Sequence, residues 1–405
     1  MANDVSGMDV RCAALILAAG RGTRFGGGKM LADIDGKPML QHVLDLAADA
    51  GFEPVVVVLG DDADEIERRI QWREERRVRN PDPGRGLSSS LALGIEALGE
   101  HQRVLMLLGD QPYLTIDQIS AITTAPRNPA RPIVVPRYAD GNSGNPVLLE
   151  REAFALAADL EGDRGMSQLF SSRPDLVRHV GVAGNNPDID TPAQLEAVHS
   201  RVIVSAGYDA LGDRYDAWRS RVSDPLRDRH LADFFDRVKR GSPVLELGCG
   251  SGSSATAQLA RAFDLTGVDI SPVQIAAARL NVPRGRFILS DMTTIDLPAA
   301  SFEGAVALYS LIHLPRQEQP ALLRKVHGWL RPGGLFLATF SAEGGTDWTG
   351  EWLGVPMFFS GFNAARNREM LSAAGFELLI DEEADLIEPE GPARFQWILA
   401  TAIPA

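Results

Sequence analysis

A seven-residue apolar run, Ala13–Ala19, breaks at once into Gly20-Arg21-Gly22-Thr23-Arg24-Phe25-Gly26-Gly27-Gly28-Lys29, and this junction limits what the chain can fold into. It reads as a buried first strand feeding an anion-binding loop. Glycines let backbone N–H groups come close to a phosphate, and Arg21, Arg24 and Lys29 supply balancing positive charge. Five glycines and three basic residues in ten positions suit an ordinary surface turn poorly. The loop is not a Walker loop. Counting back from Gly28-Lys29 puts Thr23 where the first glycine belongs, and Met30 where a hydroxyl should hold magnesium.

Beyond the loop, helix and strand take turns. Pro38 to Ala50 carries a helical apolar stripe that ends at Gly51, and Pro54 to Gly60 is a second buried strand. A helix from Asp62 to about Arg69, a strand near Val78, a helix beginning near Ser88 and the strand Val104–Leu108 continue the pattern. Such alternation predicts a parallel sheet covered on both faces, with ligands at the carboxyl ends of its strands. Asp110 and Asp190 fall at such ends. An acid beside a phosphate-binding loop is repulsive unless a divalent cation lies between them. The competing structural roles are a turn for Asp110 and a helix N-cap for Asp190.

Taken together, Leu17-Ala18-Ala19-Gly20, the basic loop to Lys29, Gly86-Leu87-Ser88-Ser89-Ser90-Leu91, Leu108-Gly109-Asp110-Gln111-Pro112, Gly144-Asn145-Pro146 and Asp188-Ile189-Asp190-Thr191-Pro192 resemble the molybdenum cofactor nucleotidyltransferases. These belong to the glycosyltransferase-A-like NTP transferase superfamily. The resemblance implies a GT-A-like Rossmann-type fold and attack by a molybdopterin phosphate on the α-phosphate of a nucleoside triphosphate. It also implies Arg24 and Lys29 on the triphosphate, Asp110 and Asp190 on Mg2+, and Leu17, Ala19, Gly20 and Ser89 near base and ribose. The Ala-Ala-Gly form is similar to the cytidylyl branch and implies CTP. Two departures stand out: Gly162-Asp163-Arg164-Gly165-Met166 is an imperfect acceptor-side loop, and Asn145 sits where many relatives carry histidine.

A second strand-and-glycine junction, Pro243-Val244-Leu245-Glu246-Leu247-Gly248-Cys249-Gly250-Ser251-Gly252, opens the other half. Asp269, seventeen positions after Gly252 at the tip of the next strand, stands where a ribose hydroxyl pair would sit. The glycine pattern alone leaves a dinucleotide or another adenosine cofactor open. With Ile288-Leu289-Ser290-Asp291-Met292 and Leu330-Arg331-Pro332-Gly333-Gly334-Leu335, the set resembles class I methyltransferases, a Rossmann-like fold with a seven-stranded sheet. The resemblance implies S-adenosyl-L-methionine, with Glu246 among the cofactor-binding residues, Gly248 and Gly250 lining its methionine part, Asp269 on the ribose, and Asp291 and Met292 bordering the adenine. His313 is the candidate base, and its alternative is a structural histidine at the cofactor rim. The aromatic group Trp348, Trp352, Met357, Phe358, Phe359 and Phe362 suits either an acceptor pocket or a loop packed on the sheet. Phe376–Ile380 and Phe395–Ala400 would close the sheet antiparallel.

A chain of 405 residues is too long for one ordinary core. Two doubly wound α/β domains are expected, 1–201 and 202–405, with Gly207 to Trp218 read as polar connecting sequence and Tyr215 to Lys239 as helices. The opening segment Met1–Val10 reads as a frayed tail. A net charge of −14 argues against nucleic acid or anionic lipid as partner, and no apolar run is long enough to cross a bilayer. With two cysteines only, no disulfide framework is available, which fits a cytoplasmic setting. The expected partners are small-molecule substrates; a molybdoenzyme or chaperone contact is left open by the sequence. The sequence thus predicts a bifunctional nucleotidyl- and methyltransferase. The alternatives are a regulatory nucleotide-binding first half, or a sugar or isoprenoid phosphate as its acceptor.

Overall fold

The computed structural model describes residues 12–138, 143–158, 160, 162, 165–184, 186–345 and 347–404. The expected tail at Met1–Val10, and Asp163 and Arg164 of the acceptor-side loop, lie outside the described residues. By contacts the chain divides into two units, Met1–Leu195 and Glu196–Ala405.

Unit 1 contains strands β1 (Cys12–Ala18), β2 (Asp33–Ile34), β3 (Lys37–Pro38), β4 (Val55–Leu59), β5 (Arg76–Arg79), β6 (Arg103–Leu108), β7 (Ile133–Tyr138), β8 (Val147–Glu150) and β9 (Val177–Val182). The strands β2 and β3 pair with each other, and the rest form one sheet in the order β5-β4-β1-β6-β8-β7-β9. The first four are parallel, as the alternation predicts, but β8 runs antiparallel to both neighbours and makes the sheet mixed. A continuous apolar run marks a buried strand without giving its direction, so this reversal leaves no trace in the pattern. The alternating side chains of β1 feed two cores. Ala14, Ile16 and Ala18 pack with Leu40, Val43 and Leu44 of the helix Met39–Asp49, whereas Ala13, Leu15 and Leu17 pack with Leu91, Ile95 and Leu98 of the helix Leu87–Leu98.

Unit 2 contains β10 (Pro243–Leu247), β11 (Asp264–Asp269), β12 (Arg286–Leu289), β13 (Phe302–Ala307), β14 (Leu330–Ser341), β15 (Trp348–Trp352), β16 (Val355–Phe359), β17 (Phe376–Glu388) and β18 (Gly391–Ala402). Its sheet runs β12-β11-β10-β13-β14-β18-β17, with five parallel strands and then an antiparallel pair. The closing pair is the expected one, extended well beyond Ile380 and Ala400. The strands β15 and β16 form a hairpin off the sheet, and it takes up most of the aromatic cluster.

The region expected to be a connection is helical. One helix spans Pro192–Leu211, through the expected boundary at 201/202, and Asp213–Arg219 and Pro225–Arg237 come after it. Its sparse apolar positions, Val204 and Leu211, pack on Val355, Met357 and Phe358 of the hairpin rather than on a sheet. A stripe with so few members reads as polar linker in the sequence. Among the described residues no helix is long and apolar enough to cross a membrane.

Candidate active sites

In unit 1, β1 and β6 lie side by side and parallel, so the loops after Ala18 and Leu108 leave from the same edge. The loop after β1 turns through four left-handed glycines, Gly22, Gly26, Gly27 and Gly28. Phe25 N and Gly27 N both donate to Gly22 O, at 2.9 and 3.2 Å. This winding carries Lys29 inward, to 6% exposure, and leaves the Arg24 side chain 73% exposed. Lys29 Nζ donates to Asp110 Oδ2 at 2.5 Å and to Asp190 Oδ1 at 3.1 Å. Arg24 Nη2 lies 2.8 Å from Asp190 Oδ2. Two of the expected residues, Asp110 and Asp190, therefore meet on the buried Lys29 ammonium, and Arg24 joins them through Asp190.

Behind them stands a polar chain to which no sequence motif assigns a role. Gln111 Nε2 donates to Asp188 Oδ1 at 2.6 Å, and Asn186 Nδ2 donates to Gln111 Oε1 at 2.9 Å and to Asn145 O at 3.2 Å. Burial pushes the Asp188 carboxyl upward, and the Asp110 and Asp190 charges add to the shift. The sequence signal for it is the Asp188-Ile189-Asp190 spacing, which puts two acids two positions apart in an extended segment. Asp110 Oδ1 is buried and has no hydrogen-bond partner among the described residues.

No group of three or more His, Cys, Asp or Glu suited to a metal occurs among the described residues. Magnesium is ordinarily held by one or two carboxylates together with substrate phosphates and water. Two carboxylates converging on one cation, one of them with an unused buried oxygen, fit that requirement.

The other predicted residues of unit 1 fall elsewhere. Leu17 and Ala19 are core side chains, 4% and 6% exposed, so only their backbones can face a ligand; Gly20 is exposed. Ser89 Oγ donates to Gly86 O at 2.8 Å and accepts from Asn80 Nδ2 at 2.9 Å. Asn80, which also reaches Ser90 Oγ at 2.9 Å, carries no sequence signature. A cavity of about 740 Å³ runs past Asn80, Asp82, Ser88 and Ser89 to Gly162.

In unit 2 the turn after β10 is closed tightly. At Gly248, with φ of +79°, a Cβ would lie 2.3 Å from the Cβ of Ser310. The Ser310 hydroxyl donates to Leu247 O at 2.6 Å. Asp269, at the tip of β11, accepts from Gly250 N at 2.8 Å and Ser271 N at 3.0 Å. Glu246 accepts from Thr256 Oγ1 at 3.0 Å, while its Oε2 is buried with no partner among the described residues. Burial pushes this carboxyl up to about 8. Helical residues cover the turn: Asp216 accepts from Ser251 Oγ, and Asp209 accepts from Ser271 Oγ and Val273 N.

Asp291, expected beside the adenine, has both oxygens engaged. Thr293 N and Oγ1 donate to Oδ1 at 2.7 and 2.8 Å, and Arg201 Nε lies 2.6 Å from Oδ2. Met292 is partly buried against the core. Arg201 goes unnoticed in the sequence because it sits in the stretch next to the expected boundary.

His313 is buried in a short 3-10 turn, with Nδ1 2.8 Å from Phe358 O and Nε2 2.8 Å from Tyr208 Oη. A carbonyl only accepts, so Nδ1 carries the proton and Nε2 accepts from the tyrosine. Burial holds the imidazole down at about 4. With both nitrogens occupied, no position is left on the ring for a substrate proton, which argues against direct base chemistry in this arrangement. A cavity of about 270 Å³ opens beside it, walled by Tyr208, Tyr215, Trp218, Trp352 and Phe359. Of the expected aromatic cluster, Trp352 and Phe359 line this cavity, Met357 and Phe358 are core, and Trp348 is exposed.

Comparison with known proteins agrees with this division. Residues 14–179 match the family model of the MobA-like NTP transferase domain, and residues 244–334 match that of a methyltransferase domain. The bifunctional protein GlmU of Halalkalibacterium halodurans is 35% identical over 27% of this chain and 24% of its own length. The O-methyltransferase cnsE of Penicillium expansum is 31% identical over 36% of this chain and 58% of its own length. Nicotine blue oxidoreductase of Paenarthrobacter nicotinovorans is 28% identical over 46% of this chain and 96% of its own length. The chain thus spans about a quarter of the first of these relatives and 58% of the second.

Proposed function

On a chain that carries a MobA-like NTP transferase domain ahead of a methyltransferase domain, we propose two transfer reactions. Unit 1 transfers a nucleotidyl group, CMP from CTP, to the terminal phosphate of a molybdopterin, whose oxygen bonds to the α-phosphorus as pyrophosphate leaves. The observation that carries this reading is the convergence of Arg24, Lys29, Asp110 and Asp190 at the end of β1. Both reactants are anions, so neutralising charge and aligning the phosphates are the main tasks. Lys29 and Arg24 take the triphosphate, and the acceptor phosphate is already ionised, so no general base is required. Asp110 and Asp190 would hold Mg2+, which supplies charge neutralisation at the reacting phosphates. Gln111 and Asn186 fix the backbone and carboxylates around them.

Unit 2 transfers a methyl group from S-adenosyl-L-methionine to a small molecule. Gly248 and Gly250 let the backbone approach the methionine part near Glu246, and Asp269, fixed by two backbone N–H groups, takes the ribose hydroxyls. Asp291 and Met292 act on the adenine side as a structural wall. We place both reactions in the cytoplasm, on small-molecule substrates.

The test is α-labelled CTP with molybdopterin and Mg2+, read as label incorporated into the pterin. Asp110→Ala should lower the rate by on the order of 10²–10³-fold. A wild-type protein that gives no labelled product overturns the assignment. Label passing instead to a sugar or isoprenoid phosphate would keep nucleotidyl transfer and change the acceptor. CTP that binds without turnover and alters methyl transfer would make unit 1 a regulatory module. One relative of unit 1 bears an oxidoreductase name, so the product must be identified directly.

A further inference from the structure

We infer that the aromatic cavity of unit 2 selects a neutral planar ring compound that donates an O–H or N–H to Tyr208 and offers a carbonyl to Arg219. The inference rests on the methyltransferase reading of this unit.

Aromatic rings make the walls. Tyr215 stacks on Trp218 with centroids 6.0 Å apart at 23°, Trp218 meets Trp352 edge-on at 5.2 Å, and Tyr208 meets Tyr215 edge-on at 5.2 Å. Faces and edges of rings around about 270 Å³ suit a flat molecule of one or two rings and exclude a peptide or nucleic-acid strand.

The protons in those walls have a fixed direction. Phe358 O can only accept, so His313 Nδ1 donates to it, and Nε2 must accept from Tyr208 Oη. With its own proton committed to His313, the Tyr208 hydroxyl has only lone pairs left to offer. One backbone carbonyl therefore sets the polarity of a chain running from Tyr208 through His313 to Phe358. The end of that chain in the cavity has lone pairs and no proton to give. Burial pushes the Tyr208 phenol upward and the imidazole down, so neither group titrates near neutrality and the polarity persists. A ligand atom facing the Tyr208 hydroxyl has to be a donor; an ether or N-methyl group there would leave that buried oxygen without a second partner.

A group of the opposite character, Arg219, lines the same cavity. Arg219 Nη2 is paired with Asp224 at 2.7 Å, and the guanidinium lies 5.4 Å from the centre of the Tyr309 ring. Arg219 Nη1 is buried with no hydrogen-bond partner among the described residues. It is a donor in need of an acceptor. Glu388, which also lines the cavity, has its carboxyl pushed up by burial and by Glu390, which disfavours a strongly anionic ligand and leaves a carbonyl as the fitting group.

The test uses the full chain loaded with S-adenosylhomocysteine and titrated calorimetrically with two planar probes, 4-quinolone and N-methyl-4-quinolone. The first has both N–H and carbonyl; the second lacks only the donor. 4-Quinolone should bind on the order of tenfold more tightly. Tyr208→Phe should bring that ratio close to one with little change for the N-methyl probe, and Arg219→Met should weaken both probes alike. His313→Gln, which can still accept from Tyr208, should keep the preference that His313→Leu loses. Equal affinities in the wild type, or a preference that survives Tyr208→Phe, overturns the inference. S-adenosylhomocysteine affinity, measured in each protein, reports on folding. Failure of the wild type to bind it defeats the methyltransferase reading itself, whereas binding it but neither quinolone defeats only this inference.

Discussion

In unit 1 the strands run β5-β4-β1-β6 and in unit 2 β12-β11-β10-β13, all parallel, so β1 and β10 hold the same place in their sheets. Each ends in a glycine turn, and there the likeness stops. After β1 the turn is open, basic and largely exposed, and its acids share one lysine. After β10 it is pressed against Ser310 and covered by Asp216, and its acids are kept apart, Glu246 on Thr256 and Asp269 on backbone N–H groups. The difference teaches that strand order fixes where a ligand goes, while the charge of the turn decides which ligand. A triphosphate has to be met by cations and carboxylates that neutralise each other until it arrives. A cofactor without phosphates can be gripped by backbone.

The largest expected effect lies in the pH response of unit 2. Glu246 has a folded value of about 8 against 4.5 in the unfolded chain, so its contribution is fully present below pH 4.5 and is lost as pH rises through 8. That window is worth on the order of 5 kcal/mol. His313 works the other way: with about 4 folded against 6.5 unfolded, its contribution is present above pH 6.5 and fades toward pH 4, a loss on the order of 3 kcal/mol. Thermal melts of the unit 2 transition between pH 4 and 9 check both. Glu246→Gln should flatten the alkaline limb and His313→Gln the acid limb. Unchanged limbs would mean these groups are not buried as described.

Lys29→Met attacks the shared-lysine arrangement directly. It leaves two carboxylates facing each other, and urea unfolding of unit 1 should show a loss of about 3–5 kcal/mol. Part of this should be recovered on adding Mg2+. Arg24→Ala, on an exposed partner, should cost about 1 kcal/mol or less. Equal losses in the two variants would break the contrast between the buried and the exposed cation.

The smallest effect compares the turns themselves. Gly26 has φ of +91° and nothing within 4 Å of a built Cβ, so Gly26→Ala should cost only backbone strain of about 1 kcal/mol. Gly248→Ala adds a 2.3 Å contact with Ser310 and should cost clearly more in unit 2 melting, with loss of S-adenosylhomocysteine binding. Gly248→Ala in a Ser310→Gly background should recover part of it.

Much of this is legible in the sequence because it is local. Both glycine turns and the acid at the tip of β11 can be read from spacing within short windows. The gathering of Lys29 with Asp110 and Asp190 links residues 81 and 161 positions apart, and only the motif combination points to it. The direction of β8 is not legible, since apolar runs have no sense. Nor are Arg201 on Asp291 and Tyr208 on His313, because the helix that carries them packs on a hairpin and displays too thin an apolar stripe to announce itself.

That helix, Pro192–Leu211, also decides where the chain can be cut. A break at residue 202 would strip Asp291 and Glu318 of Arg201 and leave both carboxylates facing an empty place. As a module for transplantation or separate expression, the methyltransferase half should start at Pro192, ahead of the polar stretch that resembles a joint, so that the whole helix travels with it. Only Thr191 separates that start from Asp190 of the other site, so the two activities sit back to back in the chain with no spacer to spare.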